Sequence, residues 1–175
     1  MRDILFRGQT RRKGEYIVNM AGDKCESHWV YGGIFPQNKD GDFAIIYQQE
    51  PEIRKFTVYA ETVGQFTGLT DKNGRKIFEG DIVQYNIYDD FDCQSVVKFG
   101  EYNQDGSAGE YSARKCIGFY VDVDNFTCPD WCENNPDYFP KHFIQQNVLE
   151  IARDCQVIGN IHDSLELLEA GDNNE

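Results

Sequence analysis

Residues 61–83 read ETVGQFTGLTDKNGRKIFEGDIV, and the turn chemistry in this stretch decides the fold class. Asn73 and Gly74 tolerate the positive φ of a tight reversal, so the chain is expected to turn back between Asp71 and Arg75 and join two short strands. Glu79-Gly80-Asp81 makes a second turn, from which Ile82-Val83-Gln84-Tyr85 leaves as a strand. Each of these features fixes a backbone direction. None of them carries a reaction.

Working outward, residues 4–60 alternate short apolar runs with turn material. The runs are Ile4-Leu5-Phe6, Tyr16-Ile17-Val18, His28-Trp29-Val30-Tyr31, Phe43-Ala44-Ile45-Ile46-Tyr47 and Phe56-Thr57-Val58-Tyr59. The separators Arg12-Lys13-Gly14, Gly32-Gly33 and Lys39-Asp40-Gly41-Asp42 are turn formers, and Gly41 between two Asp residues suits a positive φ. This half reads as an antiparallel meander. The second half adds strands over 62–69, 82–88, 95–99, 117–123 and 156–161. Phe119, Val121 and Val123 alternate with Tyr120, Asp122 and Asp124, as in a strand with one buried face. A sharp glycine turn ahead of a curved strand resembles an SH3-like small barrel. Its expected core is Phe66, Ile82, Val97, Phe119, Val121 and Ile158.

The fold class expected is therefore mainly β, with one or two short helices. The N-terminal meander occupies 1–60, and the barrel occupies 61–163 with an inserted segment at 124–154. A short C-terminal helix and tail occupy 164–175. The insert is dense in Pro, Asn, Asp and aromatic residues. After Pro140 a short helix is expected, since Phe143 and Asn147 fall on helical spacing, and Val148 to Ala152 reads as a strand. Asp163 before Ser164-Leu165-Glu166 offers a helix cap with a carboxylate three residues on, and Leu165 and Leu168 are expected to fold back on the barrel.

The 61–83 block resembles the signature of the YopX family, small proteins encoded by phages and prophages. Three further stretches carry the resemblance: Arg2-Asp3-Ile4-Leu5-Phe6-Arg7-Gly8, Trp29-Val30-Tyr31-Gly32, and residues 157–168, VIGNIHDSLELL. The family ending usually has Tyr where His162 stands and Asn-Pro near Asp163-Ser164, so the resemblance assigns His162 no role. It implies a phage or prophage origin and the β fold, and no reaction.

The chain has 175 residues, 40% apolar and 14% aromatic, with a formal charge of −13. Such a length can bury a core without disulfide staples. The negative charge repels phosphate at long range, which makes direct nucleic-acid binding an unfavoured expectation. The cluster Arg7, Arg11, Arg12 and Lys13 reads as a solvated turn. No apolar run is long enough to span a bilayer, and Arg2, Asp3 and Arg7 interrupt the N-terminus where a signal peptide is apolar. No membrane association and a cytoplasmic location are expected. In a reducing compartment the six cysteines, Cys25, Cys93, Cys116, Cys128, Cys132 and Cys155, read as thiols.

Sites for chemistry are sparse. Cys128 and Cys132 are three residues apart, wider than the usual zinc knuckle, and Cys116, His142 and Cys155 supply no second close pair. Asp89, Asp90 and Asp92, with Asp122 and Asp124, are oxygen donors suited to Mg²⁺ or Ca²⁺, but they lack a glycine-containing calcium loop and read as acidic surface. No catalytic residue, metal site or cofactor is assigned. The histidines His28, His142 and His162 have no nucleophile elbow or phosphate loop to serve. Glu61, Gln65, Asp81 and Asn160 are polar residues of the family-like blocks. They read first as turn and strand supports, and second as a candidate polar groove.

The function expected is that of a non-enzymatic accessory protein of phage or prophage origin acting by protein association. Homo-oligomers are expected, with a host protein as a further partner class, through an interface of Trp131, Tyr138, Phe139 and Phe143. Two alternatives stand beside it: an acidic DNA mimic that inhibits a host nucleic-acid enzyme, and an uncharacterised enzyme joining His162 or His142 to a cysteine.

Overall fold

Runs that alternate apolar and polar residues between Gly-, Asn- and Asp-rich turns become strands along most of the chain. The computed structural model describes residues 4–10, 16–18, 24–26, 28–37, 41–48, 53–87, 91–104, 114–122, 145–164 and 166–169. Its architecture is mainly β, with two antiparallel sheets and a separate two-stranded pair. The chain divides into two units, Met1–Gly68 and Leu69–Glu175. The division lies within a strand, eight residues beyond the point at which the barrel was expected to begin.

In the first unit the strands are β1 (Phe6–Gln9), β2 (Tyr16–Val18), β3 (Lys24–Glu26), β4 (Trp29–Gln37), β5 (Phe43–Gln48), β6 (Arg54–Tyr59) and β7 (Gly64–Thr70), the last running into the second unit. β2 and β3 pair with each other, and the part of the larger sheet that lies in this unit runs β6-β5-β4-β1-β7. The expected meander holds for β4, β5 and β6. β1 departs from it by lying between β4 and β7, because Phe6 and Arg7 pair with Gly32 and Tyr31 on one side and with Gln65 and Gly64 on the other.

One face of this sheet is the core: Val30, Ala44, Ile46 and Val58 are buried, with Ile34, Phe56 and Val63 packed against them. Gly8 permits the close approach of β1 to that core, since a Cβ there would lie 2.8 Å from Val58 Cγ2. A 3-10 turn at Ala60–Thr62 leads into β7. Buried Thr62 ties it down by accepting from the Gln9 N–H at 2.8 Å and donating to the Tyr59 carbonyl at 2.8 Å.

In the second unit the strands are β8 (Lys76–Phe78), β9 (Asp81–Ile87), β10 (Phe91–Gln104), β11 (Arg114–Asp122), β12 (Gln145–Asn147) and β13 (Gln156–Asn160), with one-turn helices α1 (Val148–Ile151) and α2 (Glu166–Glu169). The sheet runs β12-β11-β10-β9-β13. The SH3-like barrel is not what forms. Closure requires the first and last strands of a sheet to pair, and here β12 and β13 are its two edges, so the sheet stays open.

Its core gathers Ile77, Val83, Tyr85, Val97, Val121, Val148, Ile151, Ala152, Cys155 and Val157, with Leu69 and Phe119 against them. Of the expected core, Ile82, Val97 and Val121 are fully buried, although Ile82 lies outside this cluster. Phe66 is buried but belongs to the first unit. Ile158 is only half-buried, because the β9–β13 register shifts between Val157 and Gly159 and Val157 takes the inward place.

Val148–Ile151 is helical, with Ala152 in the turn after it, where a strand from Val148 to Ala152 was expected. Val148, Ile151 and Ala152 are all buried on the i, i+3, i+4 spacing of a helix face. Residues 145–147 are a strand where the helix after Pro140 was expected to continue. At the C-terminus one turn of helix does follow, but Asp163 points back: its Oδ2 accepts from Asn160 Nδ2 at 2.9 Å. Leu167 is the leucine brought near Gly159, while Leu165 and the side chain of Leu168 lie outside the described residues.

Candidate functional site

The Asp71–Arg75 reversal forms as its residues dictate, with Gly74 at φ +80° and the Asp71 N–H donating to the Arg75 carbonyl at 2.8 Å. Its second role was not visible in the sequence. Asp71 is buried, and one carboxylate oxygen accepts from the N–H groups of Asn73 at 2.8 Å and Arg75 at 2.9 Å. The other accepts from the Val157 N–H at 2.9 Å, a residue 86 positions away on β13. The Lys72 N–H donates to the Cys155 carbonyl at 3.0 Å, and Arg75 Nη1 to the Val157 carbonyl at 3.3 Å. Burial works against ionisation of Asp71, but the three backbone N–H groups and the Arg75 charge outweigh it and hold its carboxyl below the usual range. This is a structural clamp.

Cys155 lies beside that clamp. Burial, followed by the negative charge of Asp71, pushes its thiol up to about 11, and its Sγ donates to the Ala152 carbonyl at 3.7 Å. A thiol so raised stays protonated at neutral pH, the opposite of what a nucleophile needs. Cys155 is therefore expected to resist alkylation in the folded protein and to react once denatured, as read by peptide mass spectrometry. Native labelling as fast as denatured labelling would contradict this. Cys155 and half-buried Cys116 are free thiols.

The four candidate groove residues fall in different units. Asp81 and Asn160 face each other in the β9–β13 register. Fully buried Asp81 accepts from the Phe78 N–H at 2.7 Å, and Asn160 Oδ1 accepts from the N–H groups of His162 at 2.9 Å and Asp163 at 3.0 Å. Their side chains brace the turns on either side, with the Ile161 N–H donating to the Gly80 carbonyl at 3.0 Å. In the first unit Glu61 is exposed on the 3-10 turn and Gln65 is half-buried on β7 opposite Phe6.

The candidate interface residues Trp131, Tyr138, Phe139 and Phe143 lie outside the described residues, as do Cys128, Cys132, His142 and the side chains of the Asp89–Asp92 and Asp122–Asp124 clusters. Among the described residues no group of three or more His, Cys, Asp or Glu is placed to hold a metal.

The feature sequence reading missed is the outer face of the first sheet. Register places Gly33, Tyr47 and Lys55 in one row across β4, β5 and β6, and Phe35, Ile45 and Thr57 in the next. Tyr31 continues the face along β4, and Phe43 and Tyr59 pair at its other end. Phe35 is 64% exposed, with Tyr31, Phe43 and Tyr47 also exposed, and Ile45 is buried among them. Phe35 meets Tyr47 edge-on at 6.5 Å between ring centroids, and Phe43 meets Tyr59 at 5.2 Å. β1, β4, β5, β6 and β7 contain no acidic residue in a chain of net charge −13. The period-two signal for this face was present in Tyr31-x-Gly33-x-Phe35 and Phe43-x-Ile45-x-Tyr47. Taking Gly32-Gly33 as a turn hid it, because β4 runs straight through both glycines to Gln37.

The charge is divided unevenly. Residues 1–68 hold 9 acidic and 9 basic side chains, and residues 69–175 hold 21 and 8, so the whole formal charge of −13 belongs to the second unit. A smaller apolar patch on that unit joins Phe99 and Phe119, 5.0 Å apart, with Ile117, which is 78% exposed.

The described residues thus form a mainly β protein with open sheets, polar clamps at its turns and an aromatic face whose strands carry no carboxylate. The family model described as YopX protein matches residues 21–169, and the chain belongs to the YopX family. Among solved structures it is similar to protein EF1440 from Enterococcus faecalis, at 21% identity over 94% of this chain and 98% of that one, with a TM-score of 0.36. Comparison with curated proteins gives no match.

Proposed function

We propose that this YopX-family chain is a phage- or prophage-derived accessory protein of the bacterial cytoplasm that acts by protein association rather than by catalysis. The aromatic face of the first sheet is the observation that carries this reading. Tyr and Phe are enriched and charge is depleted at the centres of protein interfaces, and a patch of exposed rings is costly to leave in water. No helix among the described residues is long and apolar enough to cross a membrane. Light scattering on the purified chain is expected to give a mass above the 20.2 kDa of one copy. A single-copy mass at every concentration, with no stable complex formed on co-expression in a bacterial host, would overturn it.

A second reading has its own support in the charge division. A unit holding 21 acidic and 8 basic residues suits a competitor for a DNA-binding surface, since fields of that sign attract basic clefts. In that case the chain displaces duplex DNA from a host nuclease or polymerase at low salt and loses this effect at high salt. Failure to displace DNA at low ionic strength removes the reading.

A further inference from the structure

We infer that the outer face of β4, β5 and β6 pairs with the same face of a second copy, the Phe35 ring of each chain seating over Gly33 of the other. The inference rests on the association reading and names its interface and occupant. Phe35 is the most exposed aromatic residue on the face, and Gly33 is the next residue along β4 on the same side. Apart from Gly33 itself and its two chain neighbours, no residue has an atom within 4 Å of where a Gly33 Cβ would stand. The recess is bordered by Tyr31 and Phe35 along the strand and by Tyr47 across it.

Projection and recess are thus two residues apart, about 7 Å along a strand. A two-fold axis lying between the stacked faces and crossing β4 at the level of Ile34 exchanges them, which is the self-complementarity a closed dimer needs. The same rotation lays the row Gly33, Tyr47, Lys55 over the partner row Phe35, Ile45, Thr57. Tyr47 then covers Ile45, and Lys55 meets Thr57 rather than another ammonium. Facing sheets pack at about 10 Å, the spacing that interdigitated side chains fill. Electrostatics permits the arrangement, because the five strands carry no carboxylate and the unit that bears them has equal numbers of acidic and basic residues.

Sedimentation equilibrium of the full chain, Phe35→Ser and Gly33→Leu tests this. Both positions are exposed, so both variants are expected to keep the wild-type circular dichroism and urea midpoint. Wild type is expected to dimerise, and each variant to raise the dissociation constant at least tenfold, one by removing the projection and the other by filling the recess. Dimerisation unchanged in both variants overturns this interface and leaves the association reading standing. A monomeric wild type overturns the dimer, and so does a face that instead binds a fluorescent single-stranded oligonucleotide, with that binding lost in Phe35→Ser, since stacked bases would then be its occupant.

Discussion

Replacing Asp71 by Ala is expected to cost at least ~3 kcal/mol, because the N–H groups of Asn73, Arg75 and Val157 all lose a charged acceptor in a buried place. Asp71→Asn is expected to fall between the two, since its amide oxygen can serve only part of the set and its NH2 group cannot accept. The urea midpoint measures both. Its pH dependence separates charge from shape. A carboxyl held below its unfolded value contributes stability that is fully present above the ordinary carboxylate pKa and is lost as pH falls through the lower folded value. Wild type should therefore lead Asp71→Asn at neutral pH, and the lead should shrink once pH drops below about 4. A gap between them that stays constant down to strongly acidic pH would contradict the charged clamp.

Two adjacent glycines on β4 are expected to behave oppositely. A Cβ on Gly32 would fall on the backbone carbonyl of Tyr47, so Gly32→Ala must push β4 away from β5 and is expected to cost about 3 kcal/mol. Gly33→Ala meets open space and is expected to change stability by no more than about 0.5 kcal/mol. Chemical denaturation followed by tryptophan fluorescence reads both. Equal midpoints for the two variants would mean that β4 and β5 do not approach as closely as described.

The strands and the turn at Asn73-Gly74 were legible because period-two patterning and turn chemistry are local. Gly41, Gly74 and Gly80 all take the positive φ that turn glycines are used for. What failed was non-local. Whether a sheet closes depends on which strands end as neighbours, and nothing in residues 145–160 announces that β12 and β13 become opposite edges. Val148, Ile151 and Ala152 did carry a helical period, but the five-residue segment Val148-Leu149-Glu150-Ile151-Ala152 is too short for periodicity alone to choose helix over strand. The first sheet's aromatic face was hidden by a local misreading, since Gly32-Gly33 was expected to turn the chain, whereas β4 continues through it to Phe35 with Val30, Ala44 and Ile46 buried on the opposite face. Asp71 was read as a turn residue, and its longer reach could be found only with Val157 in place.

The bond from Val157 to Asp71 also imposes an order on synthesis. A nascent chain that has produced the Asp71–Arg75 reversal keeps one carboxylate oxygen waiting for its backbone partner until 86 further positions have been made. β9 likewise lacks one of its two neighbours until the Gln156–Asn160 strand leaves the ribosome. The first unit has all of its strands by residue 70, so at ordinary translation speeds of about 5–20 residues per second it has several seconds' start. A chain stalled before residue 156 would expose β9 as an unpaired edge, ready to take a strand from a neighbouring polysome product.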